Sequence, residues 1–281
     1  MRRVAYLGPE KTNTYFAALA KFGKKSQYLH APTIEDVFHL VEREKADYGV
    51  VPVENSLEGS IVHTLDRFVD FKQSPVKIYG ELEQPIDHYL IMLKSTPTEK
   101  IRVVYSHPQA LAQCRDWLQK HYPQTTRRER SSTAEAVNGL FDKEERLWDL
   151  DERAAIGRIE LVDQRKIRAI PIGVEQENIT RFFVIALDEN KRHGSRNKTS
   201  LMFVLKDKPG ALHSALEPFK RHGINLTKIE SRPSKRRAWE YVFFVDFQGH
   251  ESDLRVKRAL SELRKCASHS QVLGSYPIDK L

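Results

Sequence analysis

The sequence predicts an α/β protein made of a larger first region and a smaller second one, and three features of its 281 residues support this. Apolar strand-like runs alternate with helical stripes through the first two-thirds of the chain. Residues 188–198 are polar and basic, which is typical of a linker. Beyond them the order of elements becomes βαββαβ, the split ferredoxin-like arrangement. We therefore expect an α/β region at 1–187, a linker at 188–198 and a ferredoxin-like domain at 199–276.

The elements of the first region follow from the spacing of its apolar residues. The predicted strands are Val4–Leu7, Tyr48–Val53, Lys77–Leu82, His88–Leu93, Val103–Tyr105 and Arg181–Leu187. Helical spacing groups Phe16, Leu19 and Phe22; Val37, Leu40 and Val41; Ile61, Leu65 and Phe68; Leu111, Cys114 and Leu118; and Val137 and Leu140. Residues 153–176 have no legible pattern. Such alternation favours a sheet with parallel strand pairs between helical layers.

Cap residues support the helix positions. Thr33, followed three residues later by Asp36, resembles a capping box. Pro108 suits the first turn of a helix, and Ser132 or Thr133 can cap the helix that follows it.

The second region has the elements of a ferredoxin-like unit. They are the strand Ser200–Lys206, a helix carrying Leu212, Ala215, Leu216 and Phe219, the hairpin strands Asn225–Arg232 and Trp239–Phe247, a helix carrying Val256, Leu260 and Leu263, and the strand Val272–Ser275. Pro218 lies inside the first helical stripe and is expected to bend or shorten that helix.

The composition of the chain is that of a globular protein, with 40% hydrophobic and 30% charged residues. Its net charge of +8 has two interpretations. One is nucleic-acid binding, and the other is a basic surface that attracts anionic metabolites. The basic clusters near 127–130, 191–198 and 235–237 are scattered and carry no nucleic-acid motif. We therefore expect no nucleic-acid partner.

The two cysteines and the N-terminus point to a cytoplasmic protein. Cys114 and Cys266 are far apart and form neither a disulfide framework nor a metal-binding pattern, so we expect packed thiols and no metal. The N-terminus lacks the features of a signal peptide. No apolar run approaches the roughly 20 residues that span a bilayer, so no membrane association is expected.

Three short polar motifs lie beside predicted strands. Ligands of α/β sheets usually bind beyond the carboxyl ends of such strands. The motifs are Val-Pro-Val-Glu-Asn at 51–55, Tyr-Ser-His-Pro-Gln at 105–109 and Asn-Ile-Thr-Arg-Phe at 178–182. Together they indicate a site for a small anionic substrate, with Thr180 as the first candidate residue.

These motifs resemble those of the prephenate dehydratase family, and the resemblance runs from about residue 3 to 187. Residues 199–276 resemble the ACT regulatory domain attached to that enzyme. Two motifs carry this second resemblance, Asp-Lys-Pro-Gly-Ala-Leu at 207–212 and Ile-Glu-Ser-Arg-Pro at 229–233. Five motifs in family order over nearly the whole chain form a specific pattern.

The resemblance implies a two-lobed catalytic region similar to periplasmic binding proteins, with the active site in the cleft between lobes. One lobe would hold residues near 1–75 and 165–187, and the other residues near 80–160. The family is cytoplasmic, homodimeric or homotetrameric, and needs no cofactor. It converts prephenate to phenylpyruvate in L-phenylalanine biosynthesis, and phenylalanine inhibits it through the ACT domain.

As the resemblance implies, Thr180 is the catalytic donor to the leaving oxygen of prephenate, and Asn55, Ser106 and Gln113 match polar positions of the active site. Each has a structural alternative. Thr180 could start a strand, Asn55 could cap a helix, and Ser106 could satisfy a strand end. Neutral donors suit substrate orientation because they add no competing charge.

Arg181 has two interpretations as well. Its planar guanidinium could bind a substrate carboxylate in bidentate fashion, or it could form a structural ion pair with Glu54 or Glu58.

The first loop departs from the family pattern Gly-Pro-x-Gly-Thr-Phe-Ser, since residues 8–14 read Gly-Pro-Glu-Lys-Thr-Asn-Thr. Thr12 and Thr14 retain hydroxyls at a helix N-terminus, which is a natural anion site. Lys11 replaces a glycine, so either the loop changes shape or Lys11 adds a contact to the substrate. A non-glycine residue at positive φ costs about 1 kcal/mol or more.

The resemblance also implies an effector site for phenylalanine. Its residues would be Gly210, Ala211, Leu212, Asn225, Leu226, Glu230 and Ser231. Alternatively, these residues only build a turn and a strand end. His213 stands where the family often has an apolar residue.

Other activities remain open. The protein could be an arogenate dehydratase, a prephenate decarboxylase that keeps the hydroxyl, or a non-catalytic amino-acid sensor with this fold. Thr180 argues against the decarboxylase, and the altered loop at 11–14 is the best support for the sensor.

Overall fold

A computed structural model describes residues 1–69, 74–142, 147–161, 163, 165–173 and 178–278. The chain forms two compact units. The first contains Met1–Glu10, Thr14–Gln84 and Arg181–Leu281, and the second contains Lys11–Asn13 and Pro85–Thr180.

The strands and helices are numbered in chain order. The strands are β1 Arg3–Leu7, β2 Gln27–Ala31, β3 Tyr48–Asn55, β4 Gly59–Ser60, β5 Lys77–Pro85, β6 His88–Leu93, β7 Val103–Ser106, β8 Thr126–Glu129, β9 Arg153–Gly157, β10 Ile167–Ile172, β11 Ile179–Ala186, β12 Asn197–Leu205, β13 Leu226–Pro233, β14 Tyr241–Gln248 and β15 Ala267–Pro277. The α-helices are α1 Asn13–Phe22, α2 Ile34–Glu42, α3 Val62–Val69, α4 Pro108–Gln113, α5 Arg115–His121, α6 Thr133–Asn138, α7 Ala211–Arg221 and α8 Leu254–Cys266.

The first unit begins with a sheet in the order β2-β1-β3-β11-β5, and β4 pairs with β3. Strand β1 runs parallel to both β2 and β3, as the strand–helix alternation predicts. The start of α2 confirms the predicted cap, because Thr33 Oγ1 accepts a hydrogen bond of 3.1 Å from the Asp36 amide.

The second unit has a five-stranded sheet in the order β10-β6-β9-β7-β8. Strand β7 is parallel to β8 and β9, and β6 is antiparallel to β9 and β10. Strands β9 and β10 come from the region that had no legible pattern. The family resemblance implies that residues 165–187 belong to the first lobe, but β10 pairs with β6, so residues 167–172 lie in the second unit.

The predicted helix after Pro108 is divided at Cys114, which ends α4 and precedes α5. Cys114 is buried against Val104 and Leu118 in the core of the second unit. Burial raises the pKa of its thiol to about 12, so Cys114 stays a protonated, packed thiol as expected. Ser132 caps α6 by accepting a hydrogen bond from the Glu135 amide.

The C-terminal domain has a sheet in the order β13-β14-β12-β15, which confirms the ferredoxin-like prediction. Helices α7 and α8 cover one face, where Phe219 and Leu260 pack against Phe203 and Phe247. Pro218 does not shorten α7, which continues to Arg221.

The opposite face of this sheet packs on the N-terminal part of the first unit. A shared core joins Met202, Val204, Val242, Phe244, Leu273 and Tyr276 to Phe68, Ile78 and Phe183. The approach is closest at Gly274, where an added Cβ would lie 2.0 Å from the Ile78 carbonyl oxygen. Residues 199–276 are therefore built into the first unit and complete its core.

This close approach predicts that Gly274→Ala destabilises the protein. The new methyl group must push the sheet away from Ile78, and overpacking of this kind costs about 1–3 kcal/mol. Gly80→Ala in β5 is the matched control, because no atom lies within 4 Å of its added Cβ. Urea unfolding at pH 7.5 measures both variants, and equal free energies of unfolding would contradict the packing described above.

Candidate active site

The side-chain oxygen of Gln113 accepts two hydrogen bonds in the second unit. His88 Nε2 lies 2.8 Å from Gln113 Oε1, and Asn178 Nδ2 donates to the same oxygen over 2.9 Å. The three residues come from the start of β6, the end of α4 and the residue before β11. Two donors on one oxygen fix the orientation of the Gln113 amide.

His88 was not singled out from the sequence, although it is a polar residue at the head of an apolar strand. Its side chain is buried, and burial lowers its pKa, an effect that the hydrogen bond to Gln113 partly offsets. The imidazole is therefore neutral near pH 7. Since Gln113 Oε1 can only accept, the proton of the neutral ring lies on Nε2.

Thr180 is the second residue of β11 and is 8% exposed. The backbone just before it is anchored, because the Ile86 amide donates to the Asn178 carbonyl over 2.8 Å. Asn178, whose side chain binds Gln113, is two residues from Thr180 along the chain. Thr180, the predicted donor, therefore lies on a strand whose preceding residue, Asn178, is hydrogen-bonded to Gln113.

Ser106 ends β7 and is completely buried. Its hydroxyl donates a hydrogen bond of 2.8 Å to the Ile156 carbonyl on β9. This contact supports the strand-end alternative for Ser106, since the hydroxyl proton is used within the sheet.

Asn55 ends β3 in the first unit. Its side-chain oxygen accepts hydrogen bonds from the amides of Leu57, at 3.0 Å, and Glu58, at 3.2 Å. Because α3 begins only at Val62, Asn55 caps the turn between β3 and β4 rather than a helix.

Arg181 lies at the centre of a group of carboxylates in the first unit. Its Nη1 donates to Asp246 Oδ2 over 2.6 Å and to Glu81 Oε2 over 3.1 Å. Its Nη2 is 3.1 Å from Glu54 Oε2. Burial by itself lowers the Arg181 pKa, but Asp246 and Glu81 outweigh it, so the pKa lies above its ordinary value. These contacts support the ion-pair alternative, including the expected partner Glu54.

The first loop keeps the backbone shape of a glycine although it carries Lys11. This residue has a φ of 65°, in the left-handed region. Thr12 precedes α1, and Thr14 lies in its first turn and is buried. The two hydroxyls are at the start of a helix, as expected.

Three of the predicted effector residues line one pocket of about 890 Å³ in the C-terminal domain. Gly210 precedes α7 with a φ of 76°, and Ala211 and Leu212 begin the helix. Trp239 and Tyr241 add aromatic surface. The charged residues on the wall are the cations Lys206, Lys208 and Arg237 and the anions Asp207 and Glu240. An apolar pocket with cations and a helix N-terminus suits a small amphipathic carboxylate.

The remaining predicted effector residues lie elsewhere in the domain. Asn225 and Ser231 are exposed, and Leu226 packs in the core beneath the helices. Glu230 faces the N-terminal part of the first unit and accepts a hydrogen bond of 2.8 Å from Ser60. Strand β13 therefore presents Ser231 on one face and Glu230 on the other.

The described residues contain neither a metal-binding cluster of His, Cys, Asp and Glu nor a helix long and apolar enough to cross a membrane.

The second unit holds a hydrogen-bonded group of His88, Gln113 and Asn178, two residues from Thr180 along the chain, and the C-terminal domain holds a pocket. This arrangement is typical of an enzyme with an attached regulatory domain. The sequence model described as Prephenate dehydratase matches residues 4–190, and the ACT domain model matches residues 199–265. The chain belongs to the prephenate dehydratase family, as its motifs predicted.

Individual relatives agree with this assignment. The chain is 49% identical to a bifunctional chorismate mutase/prephenate dehydratase of Aquifex aeolicus over 278 residues, covering 98% of this chain and 73% of the relative. It is 32% identical to the prephenate dehydratase of Bacillus subtilis over 285 residues, covering 98% of each. The solved structure of the Arthrobacter aurescens prephenate dehydratase in complex with L-Phe matches with a TM-score of 0.84 at 31% identity, covering 98% of this chain and 90% of that one.

The lowered pKa of His88 predicts a pH-dependent stability. Between that pKa and the ordinary value of 6.5, the unfolded chain binds more protons than the folded one. The stabilising effect is therefore complete above about pH 6.5 and is lost as the pH falls through the folded-state value. His88→Gln removes this dependence, so the free energy of unfolding should fall less between pH 7.5 and 5 than in the wild type. His63→Gln, at an exposed position on α3, is the control. A His88 variant with the wild-type slope would contradict the burial of a neutral imidazole.

Proposed function

We propose that this protein catalyses the decarboxylative dehydration of prephenate to phenylpyruvate, with Thr180 as the donor to the departing oxygen. The observation that carries the proposal is the hydrogen bond from the Asn178 side chain to Gln113 in the second unit, because Asn178 is only two residues from Thr180 along the chain. His88, Asn178 and Thr180 are buried, and positioned neutral hydrogen-bond donors can assist a leaving oxygen without adding charge to the site.

The reaction balances with a single proton. The electron pair of the bond between the ring and its carboxylate moves into the ring as carbon dioxide leaves. The displaced pair of the diene expels the hydroxyl group from the opposite carbon, and one proton converts the departing hydroxide to water. Aromatisation of the ring supplies the driving force, so the protein has to hold the dianion and assist the leaving oxygen.

Thr180 assists by donating a positioned hydrogen bond to that oxygen. A threonine hydroxyl is a weak acid, so its contribution comes from its fixed geometry in a water-poor site. Assistance of this kind accelerates a reaction about 10²–10⁴-fold, which corresponds to about 3–5 kcal/mol.

Gln113 orients the substrate through its amide, whose direction His88 and Asn178 set. Ser106 and Asn55 act through the backbone that they order, since their side chains bond to Ile156 and to the 55–58 turn. Lys11, Thr12 and Thr14 supply positive charge and donors for the substrate carboxylates. Arg181 is left out of the substrate contacts because three carboxylates surround it.

Prephenate and arogenate differ only in a keto or an amino group on the side chain, so both have to be assayed. Purified protein is incubated with each compound, and phenylpyruvate, phenylalanine and carbon dioxide are measured. We expect phenylpyruvate and carbon dioxide from prephenate in equal amounts. A preference for arogenate would identify an arogenate dehydratase, and carbon dioxide without an aromatic product would identify a decarboxylase. No turnover of either compound would indicate a sensor.

Thr180→Val is expected to lower the turnover number for prephenate by at least about 10²-fold, because valine keeps the shape and removes the donor. Thr126→Val, at an exposed position of β8, is the matched control and should keep full activity. Circular dichroism and the melting temperature establish that both variants are folded. Near-normal turnover by folded Thr180→Val would refute the assignment of the donor.

Phenylalanine is the effector that we propose for the pocket at the start of α7. The pocket combines aromatic walls with cations and the amides of Gly210 and Ala211, which suit an aromatic amino acid. The similar Arthrobacter aurescens protein was solved in complex with L-Phe. The effect on activity is inhibition, as expected for a pathway end product.

Ala211→Leu should weaken this inhibition, because the longer side chain fills the pocket. Basal turnover should change little, and the phenylalanine concentration for half inhibition should rise at least about tenfold. Ser214→Leu, on an exposed position of the same helix outside the pocket, is the control. Equal inhibition of both variants by phenylalanine would place the effector elsewhere.

A cytoplasmic homodimer or homotetramer is the proposed state of the protein. Both cysteines are free, which suits a reducing compartment. Strand β13 is an edge strand, and Ile229 and Tyr241 expose 47% and 41% of their surfaces. Apolar surface at an open strand edge favours association of copies.

A further inference from the structure

We propose that Asp246, on the C-terminal domain, is a positioning residue for Thr180 and acts through Arg181. This inference rests on the proposed function, since it assumes that the Thr180 hydroxyl assists the reaction. It gives the C-terminal domain a part in basal catalysis besides its part in effector binding.

Three carboxylates form ion pairs with Arg181. Strand β11 lies between β3 and β5, and these neighbours supply Glu54 and Glu81 as partners of Arg181. The shortest contact, however, is the 2.6 Å bond from Arg181 Nη1 to Asp246 Oδ2 on β14. The arginine side chain is only 8% exposed, so the pair is protected from screening by solvent.

The C-terminal sheet fixes the orientation of the Asp246 carboxylate. Its second oxygen, Oδ1, accepts a hydrogen bond of 2.7 Å from Ser200, the residue opposite it on β12. The Ser200 hydroxyl also lies 2.8 Å from the Tyr276 hydroxyl, which is 3.5 Å from Glu81 Oε2. The acceptor of Arg181 is therefore fixed by the C-terminal sheet itself.

The charges of this buried cluster balance. Among the most buried members, Arg181 and Lys198 are the cations and Glu81 and Asp246 are the anions, with Lys198 bonded to Glu81. The partly exposed Glu54 is balanced by Lys228. Removing one partner of such a cluster leaves an uncompensated charge away from water. Loss of the Asp246 charge would leave Arg181 paired with Glu54 and Glu81 alone, both on strands of the N-terminal sheet, so we expect its side chain to shift toward them.

A displaced Arg181 would displace its neighbour in the strand. Successive side chains of a strand point to opposite faces, so the bond to Asp246 holds β11 from the face opposite the Thr180 hydroxyl. A shift of about 1 Å in a catalytic group can lower the rate about 10²-fold. Asp246 therefore fixes the hydroxyl without touching the substrate.

The same arrangement reaches the strand that carries the second effector motif. Lys228 on β13 lies opposite Asp246 in register, and its ammonium is 2.9 Å from Glu54 Oε1. Glu54 in turn pairs with Arg181. Two paired residues of the C-terminal sheet thus hold both members of one ion pair in the N-terminal part of the same unit.

The test uses full-length Asp246→Asn and compares it with Asp66→Asn. Asp66 also joins the N-terminal part to the C-terminal domain, through Arg232 and Lys235, but it is not in the Arg181 cluster. For folded Asp246→Asn we expect kcat for prephenate to fall about 10-fold to 10²-fold while KM changes less than about threefold. Asp66→Asn should lower the melting temperature and leave kcat unchanged.

A double-mutant cycle separates positioning from general destabilisation. In a Thr180→Val background, Asp246→Asn should lower kcat little further, because the group that it positions is already absent. Independent, multiplicative losses of kcat would overturn the proposal. So would an unchanged kcat in folded Asp246→Asn, provided that Thr180→Val alone is impaired. If Thr180→Val is active, the proposed function fails instead.

Ser200→Ala covers the case in which Asp246→Asn does not fold. It removes the hydrogen bond that orients Asp246 and leaves every charge in place. We expect kcat to fall about threefold to tenfold, with KM nearly unchanged and the protein folded. Wild-type kcat in Ser200→Ala would then overturn the proposal.

Discussion

The buried charge cluster around Arg181 is the interaction on which the rest of the first unit depends. It joins a central strand of the N-terminal sheet to the C-terminal sheet, and its most buried members pair Arg181 and Lys198 with Glu81 and Asp246. Buried ion pairs add little net stability compared with apolar packing, but breaking one is costly. The apolar core beside the cluster buries residues of both sheets and contributes most of the packing between them.

In the second unit, neutral side chains rather than charges form the main polar group, which consists of His88, Gln113 and Asn178. The side-chain oxygen of Gln113 accepts hydrogen bonds from the His88 imidazole and the Asn178 amide. Burial lowers the pKa of His88, so the group formed by His88, Gln113 and Asn178 carries no charge near pH 7, which suits the dianionic substrate that we propose. Asn178 belongs to the same short motif, residues 178–182, as Thr180 and Arg181. In this motif Asn178 donates to Gln113, Thr180 is the proposed donor to the substrate, and Arg181 is the centre of the charge cluster.

Much of the fold and the motif-bearing residues could be predicted from the sequence because they depend on local signals. The Thr33 cap acts over three residues, and the stripes of α2 and α3 repeat at helical spacing. Strand β8 escaped prediction because its sequence, Thr-Arg-Arg-Glu, has no apolar alternation and the strand lies at a sheet edge. Glu54 was expected as a partner of Arg181, but Asp246 and Glu81 could not be found in this way, since they are 65 and 100 residues away and no periodicity encodes such pairs.

The C-terminal domain and the strand that carries Thr180 share one buried group of charges around Arg181. Hydrogen exchange of the full-length protein, with and without saturating phenylalanine, reports on each strand separately. We expect phenylalanine to change amide protection in β11 as well as in β13 and β14. Changes confined to the C-terminal domain, with β11 unaffected, would show that the charges around Arg181 do not couple the two.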